Sequence, residues 1–122
     1  MWKVKLVPEA VEDLKDIDHS VRIKIIKGIK KLETSPLDYG EPLGNQEDRT
    51  LAGLRKIEPA DGYRVVYWVF EKEIIVLVVA IGKRQRMNVY RSAASRIADY
   101  RKMTGNELEK ISEIIDAKDS SK

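Results

Sequence analysis

An α+β domain with a curved antiparallel sheet is the fold this sequence predicts, and three observations predict it. YRVVYWVF (63–70) and EIIVLVVAI (73–81) nearly abut, as the two arms of an antiparallel hairpin do. Residues 9–34 ahead of them carry apolar stripes at helical spacing. WKVKLV (2–7) alternates apolar and cationic residues and then meets Pro8, the pattern of a half-buried strand that a proline ends. The order reads β-α-α-β-β-β-α, with two N-terminal helices packed on one face of the sheet and a helix near the C-terminus.

Pro8 suits the first turn of a helix, and Val11, Leu14 and Ile17 give that helix one apolar stripe. Asp18-His19 breaks the pattern. Ser20 is the expected N-cap of a second helix running to about Thr34, with Val21, Ile25, Ile29 and Leu32 as its stripe. SPLDYGEPLGNQEDRT concentrates Pro, Gly, Asn and Asp and reads as the long loop. LAGLRKIE is then a short strand with the turn residues PADG behind it. EIIVLVVAI is apolar at nearly every position, so it should be an interior strand covered on both faces. Asn88 to about Met103 is expected to be helical. After Thr104-Gly105, NELEKISEIIDAK reads as a further amphipathic helix, with Leu108, Ile111 and Ile115 on its apolar side. Residues 1–103 are thus expected to form the domain, and 104–122 a helical extension that docks on it or lies across a basic site.

A chain of 122 residues with 43% hydrophobic and 35% charged side chains fits one packed domain. The absence of cysteine excludes disulfides, thiolate catalysis and cysteine-held metal sites. The start of the chain lacks the apolar core of a signal peptide, and Ile74–Ile81 is too short to cross a bilayer, so a cytoplasmic protein is expected. Net charge is only +3, but residues 83–91 hold four cations, Lys83, Arg84, Arg86 and Arg91, and no acid. Such a run is either a solvated turn or a grip on a polyanion.

Familiar catalytic constellations are scarce. His19 is the one histidine and falls between two helices, where a surface role suffices. No metal-spaced cluster or phosphate-binding glycine loop is present. A site built from Arg, Lys and Tyr still has a chemistry. RNA carries its own nucleophile, the 2′-hydroxyl. An enzyme acting on it must align that attack, offset charge at the phosphorus and help the 5′-oxygen leave. Arginines can hold the phosphate, a lysine can take a proton and a tyrosine can stack, with no metal or cofactor required. The start of one hairpin strand adjoins the end of the other, which brings Arg64 towards Arg84. Lys56 and Glu58, two apart in LAGLRKIE, share a face.

WKVKLVPEAVEDLKDID, SPLDYGEPL, LAGLRKIE, GYRVVYWVF and EIIVLVVAIGKRQRMNVY together resemble the RelE/ParE superfamily of toxins, over roughly residues 2–97. GYRVVY followed by VAIGKRQRMNVY points to the RelE branch. The resemblance implies a ribosome-dependent endoribonuclease that cuts mRNA in the A site by 2′-hydroxyl attack and is neutralised by a cognate antitoxin. It implies that Arg64 stabilises the phosphate, that Arg84 balances transition-state charge or protonates the leaving oxygen, and that Tyr90 stacks on or orients the nucleotide. Lys56 matches the first of two lysines often found in the strand before GYR. The second falls on Glu58, which would either repel RNA or itself accept the proton. Lys83, Arg86, Arg55 and Arg91 are the expected RNA-binding cations around them. Two alternatives stand beside this reading: a ParE-like, non-nucleolytic toxin acting on gyrase, and a RelE-like protein that binds but no longer cuts.

Overall fold

A computed structural model of the chain describes residues 1–43, 53–83 and 88–113. Its elements are β1 (Lys3–Leu6), α1 (Pro8–Lys15), α2 (His19–Lys30), β2 (Glu41–Pro42), β3 (Arg55–Ala60), β4 (Tyr63–Phe70), β5 (Ile75–Lys83), α3 (Asn88–Tyr100) and α4 (Gly105–Glu109). The expected α+β class holds. The five strands form one sheet in the order β1-β5-β4-β3-β2. Strands β2 to β5 run antiparallel to one another in sequence, whereas β1 lies parallel to β5, with Lys3 opposite Ile75 and Leu6 opposite Val78. That parallel pair departs from an all-antiparallel sheet. Its cause is the helical connection after β1, which carries the chain to the far side of the sheet before the strands lead it back.

The helix boundaries follow local chemistry. Pro8 opens α1, where a missing N–H costs nothing. The N-cap of α2 is Asp18, not the expected Ser20. Its carboxylate accepts from the Ser20 backbone N–H at 3.3 Å and from the Ser20 hydroxyl at 2.6 Å, which holds the Asp18 carboxyl below its ordinary pKa. Residues Lys31–Glu33 tighten into a 3-10 turn where an α-helix to Thr34 was expected. α1 and α3 pack on β5 and α2 packs on β3. Every side chain of β5 from Ile75 to Ile81 is buried, as expected of an interior strand with both faces covered.

β5 outruns its neighbour β1, and side chains complete the uncovered edge. Asp13 of α1 accepts the Ile81 N–H at 3.0 Å, while Arg96 of α3 donates to the Val79 carbonyl at 2.9 Å. The two side chains pair with each other at 2.7 and 3.2 Å. Backbone groups that a longer strand would have met are satisfied by an ion pair between two helices.

The sequence pattern misleads at β1 and at the C-terminal segment. Lys5 was expected on the wet side of a half-buried strand, yet its side chain is only 4% exposed. The segment after α4 covers it. Ser112 accepts the Leu6 N–H at 2.8 Å, and Glu113 forms an antiparallel bridge with Lys5. The Lys5 ammonium donates to the Glu109 carbonyl at 3.0 Å and lies 3.7 Å from both the Glu109 and Glu113 carboxylates. α4 begins in a reciprocal cap between Thr104 and Glu107 and ends at Glu109, short of the expected helix through residue 118. Leu108 is fully buried in the same core as β1. Ile115 and the rest of residues 114–122 lie outside the described residues. Among the described residues no helix is long and apolar enough to cross a membrane.

Candidate active site

The β3–β4 hairpin builds the floor of the site. Directly paired residues of neighbouring strands share a face, so the register places Lys56 beside Val66, and Arg64 beside Gly82 of β5. Lys56, Glu58 and Arg64 therefore point into one cleft. Its volume is about 300 Å³, and Tyr39, Gly40 and Glu41 form its far wall. Arg64 is only 7% exposed. Its Nη1 lies 2.5 Å from Glu58 Oε1, in an ion pair whose angles are not those of an aligned hydrogen bond. The other carboxylate oxygen of Glu58 accepts from the Gly62 N–H at 3.3 Å. Gly62 has φ +78°, the left-handed conformation that lets Asp61-Gly62 close the hairpin tightly.

The far wall is fastened from beneath. The Tyr67 hydroxyl, fully buried in β4, donates to the Pro36 carbonyl at 2.7 Å, and burial pushes its pKa up. Arg55 donates to the carbonyls of Leu37 at 2.7 Å and Gly40 at 2.8 Å. A side chain on Gly40 would collide with the Tyr67 hydroxyl. With the turn clamped this way, the two residues of β2 pair with β3 and Glu41 stands opposite Lys56, carboxylate to ammonium at 3.5 Å. The Lys56 ammonium also lies 5.8 Å from the centre of the Tyr90 ring. Tyr90, at the start of α3, is 6% exposed and belongs to the core.

The structure thus brings Lys56, Glu58 and Arg64 to one cleft and sets the Tyr90 ring beside Lys56. Arg55 lies beside them, but its guanidinium is engaged by two backbone carbonyls. Lys83 is exposed and sits 5.9 Å over the Tyr63 ring, its partner across the strands. Arg91 is exposed on α3. Arg84 and Arg86 fall outside the described residues. The last described residues before them, Gly82 and Lys83, pair with Arg64 and Tyr63. Glu41 and Tyr39 were not expected. They come from a Pro/Gly-rich stretch whose pairing with β3 leaves no periodic signal in two residues of strand.

The family model for the ParE toxin of the type II toxin–antitoxin system, parDE, matches residues 4–88. A RelE-like toxin protein of Escherichia coli is 31% identical over 96 residues, covering 79% of this chain and 97% of its own. The chain belongs to the RelE/ParE toxin family. The mRNA interferase toxin RelE of Escherichia coli is likewise 31% identical, over 88 residues that cover 72% of this chain and 88% of that protein. Among solved structures, the free E. coli RelE toxin with two arginines replaced by alanine gives a TM-score of 0.64. Its identity is 24%, over 79% of this chain and 97% of its own. The Mycobacterium tuberculosis RelBE2 toxin–antitoxin complex gives 0.59 at 23% identity, over 68% of this chain and 91% of its own. These likenesses show the RelE fold. The family match spans the hairpin that carries Lys56, Glu58 and Arg64 and reaches the first residue of α3.

Proposed function

We propose that this RelE-like toxin inhibits translation by cutting mRNA in the ribosomal A site, the 2′-hydroxyl attacking the adjacent phosphate. The observation that carries the reading is the convergence of Lys56 and Arg64 on one cleft, with the Tyr90 ring behind the Lys56 ammonium, in a chain whose next residues after β5 are the cations from Arg84 onward. In this reading Arg64 holds the non-bridging phosphate oxygens and Arg84 offsets charge on the leaving group. Lys56 and Glu58 are the two candidates for the proton acceptor. Lys83, Arg86 and Arg91 track the RNA backbone, and the reaction takes no metal or cofactor. The relatives described as mRNA interferases support the activity, and the neighbours solved as RelB complexes support a cognate antitoxin as partner. The toxin would then act in the cytoplasm, where ribosomes are.

Arg84→Ala tests it. Loss of one transition-state charge stabiliser should lower A-site cleavage by roughly 10²-fold or more, read by primer extension after brief expression, with the melting temperature held. Undiminished cleavage by that variant would remove the arginine at the centre of the reading. A non-nucleolytic, ParE-like action is the second reading. It is favoured by the name of the matching family model and by the carboxylates that face both cations of the cleft. Growth arrest without new mRNA ends, accompanied by loss of DNA supercoiling, would select it.

A further inference from the structure

The cleft holds two cations, Lys56 and Arg64, and each already faces a carboxylate of the same chain, Glu41 at 3.5 Å and Glu58 at 2.5 Å. Neither acid arrives there by accident of a long free side chain. Glu58 is held at its second oxygen by the Gly62 N–H, and Glu41 is carried on a turn fastened by Tyr67 and Arg55. The Glu58 Oε1 faces the guanidinium where an anionic phosphate oxygen would, while its Oε2 is held by Gly62. With Arg64 buried and its Nη1 turned to Glu58, a phosphate cannot reach that face of the guanidinium without displacing the carboxylate.

We propose that Glu58 and Glu41 are built-in phosphate surrogates that close the cleft of the free protein, so that RNA enters only by exchanging its phosphates for these carboxylates. This deepens the nuclease reading and rests on it for the identity of the ligand. The exchange has a definite chemistry. A phosphodiester displaces Glu58 from Arg64, the released carboxylate turns to water, and the ion-pair count at the arginine is conserved. Exposed Glu41 leaves Lys56 more readily, its side chain being 72% exposed against 41% for Glu58. Affinity of the isolated toxin for RNA is therefore lower than its cations imply, and a ribosome that presents mRNA in fixed register supplies what free RNA lacks.

The test uses the full-length toxin and a short 2′-O-methyl RNA, which binds but cannot react. Glu58→Gln keeps the shape and removes the charge. It should bind this probe about tenfold more tightly, the low end of what a close, largely desolvated charge pair contributes. The salt dependence should steepen by about 0.7 in log–log slope, the value for one more neutralised phosphate on a single strand. Glu41→Gln should give a smaller gain of the same sign. The gain from Glu58→Gln should vanish in the Arg64→Ala, Glu58→Gln double variant. Equal affinity and slope in Glu58→Gln and wild type would overturn the proposal, and so would a gain that survives loss of Arg64. Lower melting temperature with unchanged affinity would also overturn it, leaving Glu58 as a hairpin brace. If Glu58→Gln does not fold, Glu58→Asp keeps the charge one methylene short of Arg64 and should show the same direction. Failure of the nuclease reading is seen separately: tighter probe binding by Glu58→Gln, with no mRNA ends from wild type in cells, would leave the closed cleft standing and remove the cleavage.

Discussion

Tyr90 is where a packing role and the proposed chemical role can be told apart. Its ring is buried at the start of α3 and lies against the Lys56 ammonium. Tyr90→Phe should keep the unfolding free energy within about 1 kcal/mol of wild type, because the ring and its cation contact persist. Tyr90→Ala should lose about 3–5 kcal/mol, as large-to-small changes of buried aromatics do. Paired melting curves and cleavage assays separate packing from chemistry. Cleavage lost in the phenylalanine variant at full stability would assign the hydroxyl to the reaction. Tyr100 offers a contrast outside the cleft. Its hydroxyl donates to Glu9 at 3.0 Å, and burial and that carboxylate push its pKa to about 12, so it remains a neutral link between α1 and α3.

At the scale of elements, the hairpin between β4 and β5 turns on a residue badly suited to it. Ile74 has φ +57°, in the left-handed region, where a β-branched side chain crowds its own backbone. The side chain is 52% exposed, so little packing compensates. Ile74→Asn should stabilise the protein by about 1 kcal/mol, because asparagine tolerates this conformation. A urea titration reads it, and a lower midpoint would mean that the exposed isoleucine packs better than its surface suggests. The β3–β4 hairpin shows the opposite economy. Its turn uses Gly62, and Pro59 sits where the register shifts between Ile57 and Ala60, so its missing N–H leaves no gap in the ladder. That irregularity is why β3 runs to Ala60 although PADG reads as a turn from Pro59 onward.

For the whole molecule, the C-terminal segment closes the outer edge of the sheet in cis. β1 is an edge strand, and an open edge invites another chain. Charge holds the cover on. The Lys3 ammonium meets Glu109 at 2.6 Å, which raises the Lys3 pKa and holds the Glu109 carboxyl below the usual carboxylate range. The two shifts act at opposite ends of the pH scale. The lysine contribution is complete below an ordinary lysine pKa near about 10.4 and fades as pH rises through the raised value. The glutamate contribution is complete above about 4.3 and fades as pH falls through the depressed value. Docking should therefore be firmest between those limits. The Leu6 amide, which donates to Ser112, should lose hydrogen-exchange protection below about pH 4 sooner than amides inside β4. High salt should weaken it in the same order, since Lys3 and Glu109 are exposed. Truncation after Met103 should free that amide at every pH. A Leu6 amide as protected in the truncated protein as in the full chain would show that β1 does not depend on the segment.

What the sequence determined by itself is whatever short-range periodicity encodes. The unbroken apolar run of β5 required an interior strand, Pro8 set the start of α1, and the abutting runs 63–70 and 73–81 required the hairpin. That hairpin brought Arg64 opposite Gly82 on spacing alone, while Arg84, expected beside them, lies outside the described residues. Tertiary structure decided the rest, because each remaining feature joins residues far apart in the chain. Arg96 and Asp13 meet across 83 positions to finish an edge that neither helix knows about. Lys5 is buried only because residues 109–113 return to it. Glu41 reaches Lys56 only because Tyr67 and Arg55 fasten a turn more than a dozen residues away. Periodicity reports which face of an element is apolar. It carries no information about which polar side chain from elsewhere will cross that face, and in this toxin those crossings set the charge of the cleft.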